Sequence, residues 1–147
     1  MNILAIDTCT EVASVTLYSS NVKTTRVLTD IAKSSGYILK LCDEVFKEAG
    51  NNLQEVDFIS YTKGPGAFTG VRMCVGVVQG LSLSCGIPTL GFSTLELLAF
   101  RASKILKKDK IATAIDARMG EVYWAVYDNG SISNMKICKP ENVDNLG

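Results

Sequence analysis

The segment from residue 64 to residue 72, GPGAFTGVR, carries residue types that bind an anion. Thr69, Gly70 and Arg72 fall at the predicted start of a helix, where free backbone N–H groups and the helix dipole favour a negative charge. The segment matches neither the GxGxxG pattern nor a Walker loop, because no Lys-Ser or Lys-Thr pair follows its glycines. Proline fixes φ and glycine tolerates positive φ, so Gly64-Pro65-Gly66 also fits an ordinary turn. We favour the turn and keep the anion site as the alternative.

Two aspartates end apolar runs and are candidates for holding a nucleotide. Asp7 follows Ile3–Ile6, a short run typical of a buried strand, and Asp116 follows Ala114-Ile115. The turn after Asp7, Thr8–Glu11, contains no glycine, so its backbone cannot wrap a phosphate as closely as a glycine-rich loop does. A degenerate nucleotide site and a pair of turn-capping acids both remain open from the residues alone.

Composition excludes several classes of protein. Lys+Arg and Asp+Glu number 15 each among 147 residues, so no global charge attracts nucleic acid or an anionic membrane. The five cysteines are scattered without a CxxC pair, and the chain has no histidine, which argues against a zinc site and a disulfide framework. We therefore expect no metal, and reduced cytoplasmic thiols that lie mostly in the core. The start, MNILAID, lacks the pattern of a signal peptide.

Hydrophobic periodicity predicts alternating strands and helices. Apolar runs and alternation of period two indicate strands, whereas apolar residues at helical spacing follow Ser34-Ser35 and end at Gly50. The predicted strands cover 3–7, 13–18, 24–29, 56–62 and 89–92, and the predicted helices cover 38–49, 70–86 and 93–105.

The helix predicted from Gly70 to Gly86 decides most of the architecture. Thr69 stands where an N-cap oxygen belongs, and Pro88 is the stop signal. No charged residue occurs from Met73 to Leu95, whereas a surface helix of a soluble domain needs a polar face. The helix is therefore covered on both sides by its own domain, or a partner covers it. Its glycines, its position in mid-domain and the proline argue against a membrane span.

Two stripes of this helix are candidates for a partner interface, and the residues do not say which stripe faces the domain's own sheet. One stripe holds Val71, Cys74, Val75 and Val78, and the other holds Met73, Val77, Gly80 and Ser84. The candidate interface residues are Tyr37, Leu41 and Val45 on the first helix and Val71, Cys74, Val75, Gly76, Val78 and Gly80 on the second.

The charge-dense segment Lys104–Lys110, KILKKDK, marks a boundary between a lobe at 1–103 and the start of a second, partial lobe at 104–147. A solvated helix end explains the lysines, because cations suit a helix C-terminus. An RNA contact is the weaker alternative, since it needs more basic surface than this sequence supplies.

The chain repeats itself after that boundary. Ala114-Ile115-Asp116 repeats the residues of Ala5-Ile6-Asp7. Tyr127 lies as many positions after Tyr18 as Asp116 lies after Asp7. Between these anchors, Val122–Val126 has the strand composition of the earlier segment. The pattern indicates an internal duplication of a strand, an Asp, a turn and a returning strand.

Three segments, IDTCTEVASVTLY, KGPGAFTGVRMCVGVVQGL and IDARMGEVYWAVY, together resemble the TsaB (YeaZ) family of the actin/Hsp70-like superfamily. The resemblance implies an α/β fold of duplicated ribonuclease-H-like lobes, each a mixed sheet with flanking helices. The stretch after Tyr127 is too short for the helices of the family's second lobe, so that lobe is expected to be truncated. Lys33-Ser34-Ser35 stands where the family commonly has a histidine.

The resemblance also implies a function. The role would be that of a non-catalytic subunit in the synthesis of threonylcarbamoyladenosine in tRNA, dimerising with and supporting the metal-binding TsaD subunit. TsaE would join the larger complex, a homodimer would form when the partner is absent, and tRNA would be contacted only indirectly. The implied location is the cytoplasm, with no membrane.

The resemblance implies no required cofactor, and at most weak ATP or ADP binding inside the complex. No residue is assigned a catalytic role. The candidates for a degenerate nucleotide or anion site are Asp7, Thr8, Thr10, Gly66, Thr69, Gly70, Arg72, Asp116 and Arg118.

Two other functions stay open. A small-molecule kinase or ATPase of the same superfamily would need a competent phosphate loop, which the sequence lacks. A peptidase would need a nucleophile with a base or a metal, and without histidine only Ser-Lys or carboxylate schemes remain.

Overall fold

The computed structural model describes residues 1–29 and 36–143. Contacts divide the chain into two compact units, which are considered separately. The first unit comprises Met1–Lys63 and Ala67–Phe92, and the second comprises Gly64–Gly66 and the described residues from Ser93 onward. The predicted helix start at Ser34-Ser35, and Lys33 before it, lie outside the described residues.

The first unit is built on a five-stranded mixed sheet with the strand order β3-β2-β1-β4-β5. The first three strands form an antiparallel meander, and β4 and β5 run parallel to β1. The strands are β1 (Ile3–Asp7), β2 (Ala13–Ser19), β3 (Val22–Leu28), β4 (Phe58–Thr62) and β5 (Thr89–Phe92). The predicted alternation of β2 is confirmed, since its residues alternate between buried and half-buried.

Two helices make the parallel crossovers that such strands require. Helix α1 (Tyr37–Ala49) joins β3 to β4, and helix α2 (Phe68–Cys85) joins β4 to β5. The apolar face of α1 packs on β2 and β3, and the helix ends at Gly50, whose φ of 67° suits glycine. The strand predicted from residue 56 begins later, at Phe58, because a 3-10 turn occupies Leu53–Glu55.

The second unit pairs one helix with a three-stranded antiparallel sheet in the order β6-β7-β8. Its elements are α3 (Thr94–Leu106), β6 (Lys110–Arg118), β7 (Glu121–Asp128) and β8 (Ser131–Cys138). Helix α3 packs on β6 and β7, with Ala99, Ile111 and Tyr127 at the centre of the contact. The boundary drawn at residues 103 and 104 therefore falls inside α3, and the compact unit begins at Ser93 instead.

The internal duplication is visible in the hairpins. The β2–β3 turn has left-handed residues at Ser20 and Asn21, with φ of 50° and 64°. The β7–β8 turn repeats this with Asn129 and Gly130, at φ of 47° and 91°. Turns with two positive φ values match the natural twist of paired strands, so both meanders close in the same way.

The N-terminus of α2 differs from the prediction. Ala67 is the N-cap residue and the helix begins at Phe68, so Thr69 lies within the first turn. The reason is tertiary: the Ala67 N–H donates to the Cys9 carbonyl at 3.0 Å, while the Ala67 carbonyl accepts the helical bond from Val71. The position of the N-cap is therefore set by a hydrogen bond to a turn far away in sequence. The local residue preferences at the helix start could not indicate it.

Candidate functional site

Asp7 lies at the end of β1 and fixes the turn that follows. Its Oδ1 accepts hydrogen bonds from the Cys9 N–H at 2.9 Å and from the Thr62 hydroxyl at 2.6 Å. The first bond caps the turn and the second ties the end of β1 to the end of β4. These contacts are those of a turn-capping acid.

The two residues after Asp7 hold the start of α2. The buried Thr8 hydroxyl donates to the Gly70 carbonyl at 2.5 Å, and the Cys9 carbonyl accepts from Ala67. The Cys9 thiol lies 3.3 Å from the Thr62 carbonyl. We call this network the β1–α2 clamp, and its members are Asp7, Thr8, Cys9, Thr62, Ala67 and Gly70.

Gly70 is the tightest point of the clamp. A Cβ added at this position would lie 1.9 Å from the Thr8 carbonyl oxygen and 3.1 Å from its carbon. The atoms that a new Cβ would meet belong to the Thr8 backbone. No side-chain rotation can therefore make room for it. Only glycine permits the approach, which explains its place in the sequence.

The remaining anion candidates of the first unit do not join the clamp. The Thr10 hydroxyl bonds within its own turn to Val12, and Thr69 is exposed in the first turn of α2. The Arg72 guanidinium stacks on the Phe68 ring, 4.1 Å from its centroid. An exposed stack of this kind stabilises by about 0.5–1 kcal/mol and occupies the face of the ring.

In the second unit, Asp116 repeats the arrangement at Asp7. Its Oδ1 accepts the Arg118 N–H at 2.7 Å, the same two-residue spacing as between Asp7 and Cys9. Arg118 and Met119 both have left-handed φ, 65° and 56°, and the register sets Arg118 opposite Glu121. Gly66, another candidate, belongs to this unit, where the Gly64 carbonyl accepts from the Thr94 N–H.

The structure does not divide α2 into the two predicted stripes, because Met73 and Val77 of the second stripe pack against the same core as Cys74 and Val78 of the first. Cys74 and Val78 are fully buried in the core of the first unit, and Val71 and Val75 on the same stripe are half-buried. Leu41 and Val45 of α1 belong to the same core. The prediction that these residues face a partner is wrong for the four buried ones, which are Leu41, Val45, Cys74 and Val78.

The opposite side of α2 is uncovered in the described chain. Phe68 is 70% exposed and Leu83 is 84% exposed, and Gly76 and Gly80 are also exposed. We call this surface the α2 outer face; it comprises Phe68, Arg72, Val75, Gly76, Gln79, Gly80 and Leu83. Sequence reasoning missed Phe68 and Leu83, although their positions at helical spacing from Arg72 and Gln79 could have indicated them.

Helix α2 is long and apolar enough to cross a membrane by length and composition, but that finding is weak. A mostly buried core helix of a soluble protein passes the same test, whereas 17% of this helix is buried in the described chain. The buried residues, Gly70, Cys74 and Val78, pack within the first unit.

Burial also determines the chemistry of the thiols. Burial raises the pKa of the Cys42 thiol to about 12, and the neighbouring Asp43 carboxylate adds to that rise. Burial likewise raises the pKa of the Cys74 thiol to about 11, with a smaller contribution from Cys9. Both thiols stay protonated at neutral pH and are poor nucleophiles.

Comparison with known proteins agrees with this geometry. Residues 31–147 match the family model described as TsaD: tRNA N6-adenosine threonylcarbamoyltransferase. The TsaB of Escherichia coli K12 is 39% identical over 127 residues, which are 86% of this chain and 55% of that protein. The solved structure of YeaZ from Pseudomonas aeruginosa is 37% identical with a TM-score of 0.90, covering 99% of this chain and 71% of that one.

The duplicated meanders and the mixed sheet define an actin-like protein with ribonuclease-H-like lobes, present here in partial length. Within that class the chain belongs to the TsaB (YeaZ) family. It spans a little over half the length of the curated relatives it matches, 55% of the protein from Escherichia coli and 60% of one from Buchnera aphidicola.

We predict that Gly70→Ala destabilises the first unit by about 3 kcal/mol, because the new Cβ clashes with the Thr8 backbone. Gly76→Ala in the same helix is the matched control, since a Cβ there meets nothing within 4 Å. The control should be neutral or stabilise by up to ~1 kcal/mol through helix propensity. Urea unfolding followed by circular dichroism measures both; equal stability of the two variants would contradict the role given to the clamp.

Thiol labelling tests the burial of the cysteines. At pH 7.5 a disulfide reagent should modify the half-exposed Cys85 and Cys138 quickly and reach Cys42 and Cys74 only after unfolding. Because folding raises the pKa of both buried thiols above the ordinary 9.0, they contribute stability below that pH. That contribution should be lost as the pH rises towards 11 to 12. Rapid labelling of Cys74 in the native protein would show that the core is open.

Proposed function

We propose that this chain acts as a non-catalytic subunit in the synthesis of threonylcarbamoyladenosine in tRNA. Its relatives from Escherichia coli and Haemophilus influenzae bear the name tRNA threonylcarbamoyladenosine biosynthesis protein TsaB. The observation that carries the proposal is the α2 outer face, an apolar helix surface without a cover in the described chain. A surface of this kind serves protein association rather than chemistry.

The partner in this proposal is TsaD, which binds through the α2 outer face. Gly76 and Gly80 leave room for a second helix to approach closely, because interaxial distance is set by the side chains at the contact. Phe68 and Leu83 provide large apolar side chains on either side of the two glycines. A specific interface of ordinary size buries about 800 Å² on each partner. Tyr37 of α1 is also exposed, and the proposal includes it among the residues that meet the partner.

Further features of the proposal follow from the family. TsaE joins the larger complex, two copies of the chain pair through α2 when TsaD is absent, and tRNA is held by the other subunits. The protein is soluble and works in the cytoplasm. The balanced charge of 15 cations and 15 anions supports an indirect relation to tRNA.

No cofactor is required by this chain in the proposal, and ATP or ADP binds weakly at most, within the complex. The clamp supports this, since the Thr8 hydroxyl and the Cys9 N–H and carbonyl are already engaged within the unit. A kinase or ATPase would need such groups free for phosphate oxygens. Nucleophilic catalysis by Cys42 or Cys74 finds no support either, because both thiols are buried and protonated.

Leu83→Asp should abolish capture of TsaD while the circular dichroism spectrum stays unchanged, because an exposed charge opposes only the association. Val22→Asp on β3, at another exposed aliphatic side chain, is the matched control and should retain binding. Val78→Asp should instead unfold the unit, since that side chain is 2% exposed. If the Leu83→Asp variant still bound TsaD fully, the α2 outer face would not be the interface.

Depletion of the protein in its native cell should lower threonylcarbamoyladenosine in total tRNA, as measured by nucleoside mass spectrometry. Wild-type chain should restore the nucleoside, and Leu83→Asp should not. Normal levels after depletion, in a strain without a second copy of the gene, would end this assignment.

The isolated protein should show no ATPase activity above background, because the turn after β1 is glycine-free and engaged by α2. Phosphate release from ATP measures this directly. Turnover that survives repurification and disappears in Asp7→Asn would contradict the non-catalytic role.

A further inference from the structure

Asn129 and Gly130 form the turn between β7 and β8, and they are the one Asn-Gly pair in the chain. Asp128 pairs with Ser131 across the end of the hairpin, so the loop has two residues. The φ values of Asn129 and Gly130, 47° and 91°, are both positive, as a type I′ turn requires. Asparagine followed by glycine is the favoured sequence for such a turn, so the pair has a structural role.

An asparagine that precedes a glycine is also chemically labile. The backbone nitrogen of the glycine attacks the side-chain amide carbon, and a five-membered imide forms as ammonia leaves. Water then opens the imide, either at the side-chain carbon, which gives aspartate, or at the backbone carbon, which gives an isoaspartyl linkage. A side chain on the residue after the asparagine slows the attack, and every other asparagine of this chain precedes a residue that has one.

The closed turn holds Asn129 away from this reaction. In a type I′ turn the first central residue has a ψ of about 30°, at which the next nitrogen points away from the side chain. The side chain is also engaged, since Asn129 Nδ2 donates to Asp128 Oδ1 at 2.7 Å. The Asn129 backbone N–H donates to the Asp109 carbonyl at 3.1 Å. Attack by the Gly130 nitrogen therefore requires that the turn opens first.

The product cannot resume the same turn. Deamidation replaces the Nδ2 donor of residue 129 with a carboxylate oxygen, so two like charges face each other where a hydrogen bond had joined Asn129 to Asp128. An isoaspartyl linkage also adds one atom to the backbone, and the register of a hairpin depends on the length of its loop. The pairing of Asp128 with Ser131 is therefore weakened in either product.

We propose that Asn129 is a deamidation site, at which the reaction is suppressed while the β7–β8 turn is closed and proceeds when the turn opens. Such local opening costs less free energy than global unfolding. The corresponding turn of the first unit, Ser20-Asn21, lacks this chemistry because Val22 follows its asparagine. The modification thus separates two turns that share a left-handed backbone.

Peptide mass spectrometry measures the conversion of each asparagine over time in protein kept at neutral pH. Asn129 should convert faster than Asn21 and Asn134, which are also exposed and left-handed but precede residues with large side chains. In urea the conversion of Asn129 should accelerate about tenfold or more, because unfolding removes the turn.

Two substitutions at Ser131 test the turn without changing the reacting pair. Ser131→Pro removes the backbone N–H at the end of the ladder and disfavours the conformation of Gly130, so it should raise the rate at Asn129 about tenfold in the absence of urea. Ser131→Ala is the matched control, because it keeps the N–H and loses only the hydroxyl bond to the Asp128 carbonyl. Its rate should stay close to that of the wild type.

Three results would overturn the proposal. Equal rates at Asn129 in the native and the unfolded wild type would show that the turn gives no protection. Equal rates in the two Ser131 variants would show that opening of the turn does not control the reaction. Conversion of Asn129 in urea no faster than that of Asn21 would show that it is not a deamidation site. The comparison in urea uses the wild type alone, so it remains decisive if circular dichroism shows that Ser131→Pro is unfolded.

Discussion

The backbone contact between Gly70 and Thr8 determines the orientation of α2 on its sheet. With Gly70 turned inward, Cys74 and Val78 follow it at helical spacing into the core. The residues half a turn away, such as Arg72, Gly76 and Leu83, must then point outward. One glycine thus sets the rotation of a helix that hydrophobicity alone leaves undetermined, because the helix is apolar on nearly every side.

The turn after β1 takes part in the same contact. A turn binds phosphate when its N–H groups are free to point at the ligand. Here the Cys9 N–H is held by Asp7, and the Cys9 carbonyl and the Thr8 hydroxyl hold the start of α2. The groups that could serve a nucleotide instead join a strand to a helix.

The sequence predicted best those features that depend on residues close together in the chain. Period-two alternation in Ala13–Tyr18 and helical spacing in Ile38–Ala49 gave β2 and α1 within a residue or two, because one face of each element is buried. The N-cap of α2 was misplaced at Thr69, since its position depends on a hydrogen bond from Cys9 far away in sequence.

The candidate site could be predicted only in part, for the same reason. The two stripes predicted on α2 do not separate in the structure, since Cys74 and Val78 of one and Met73 and Val77 of the other pack in the same core. Nothing local in the sequence indicated which residues of the helix face the sheet. Phe68 and Leu83 were missed because an apolar residue in a wholly apolar helix gives no sign of exposure. The duplicated turns show the converse case. The hydrogen bond that the Cys9 N–H donates to Asp7 recurs as the one that the Arg118 N–H donates to Asp116, since it needs only neighbouring residues. In the first unit the turn also holds the start of α2, a contact that depends on residues far apart in sequence.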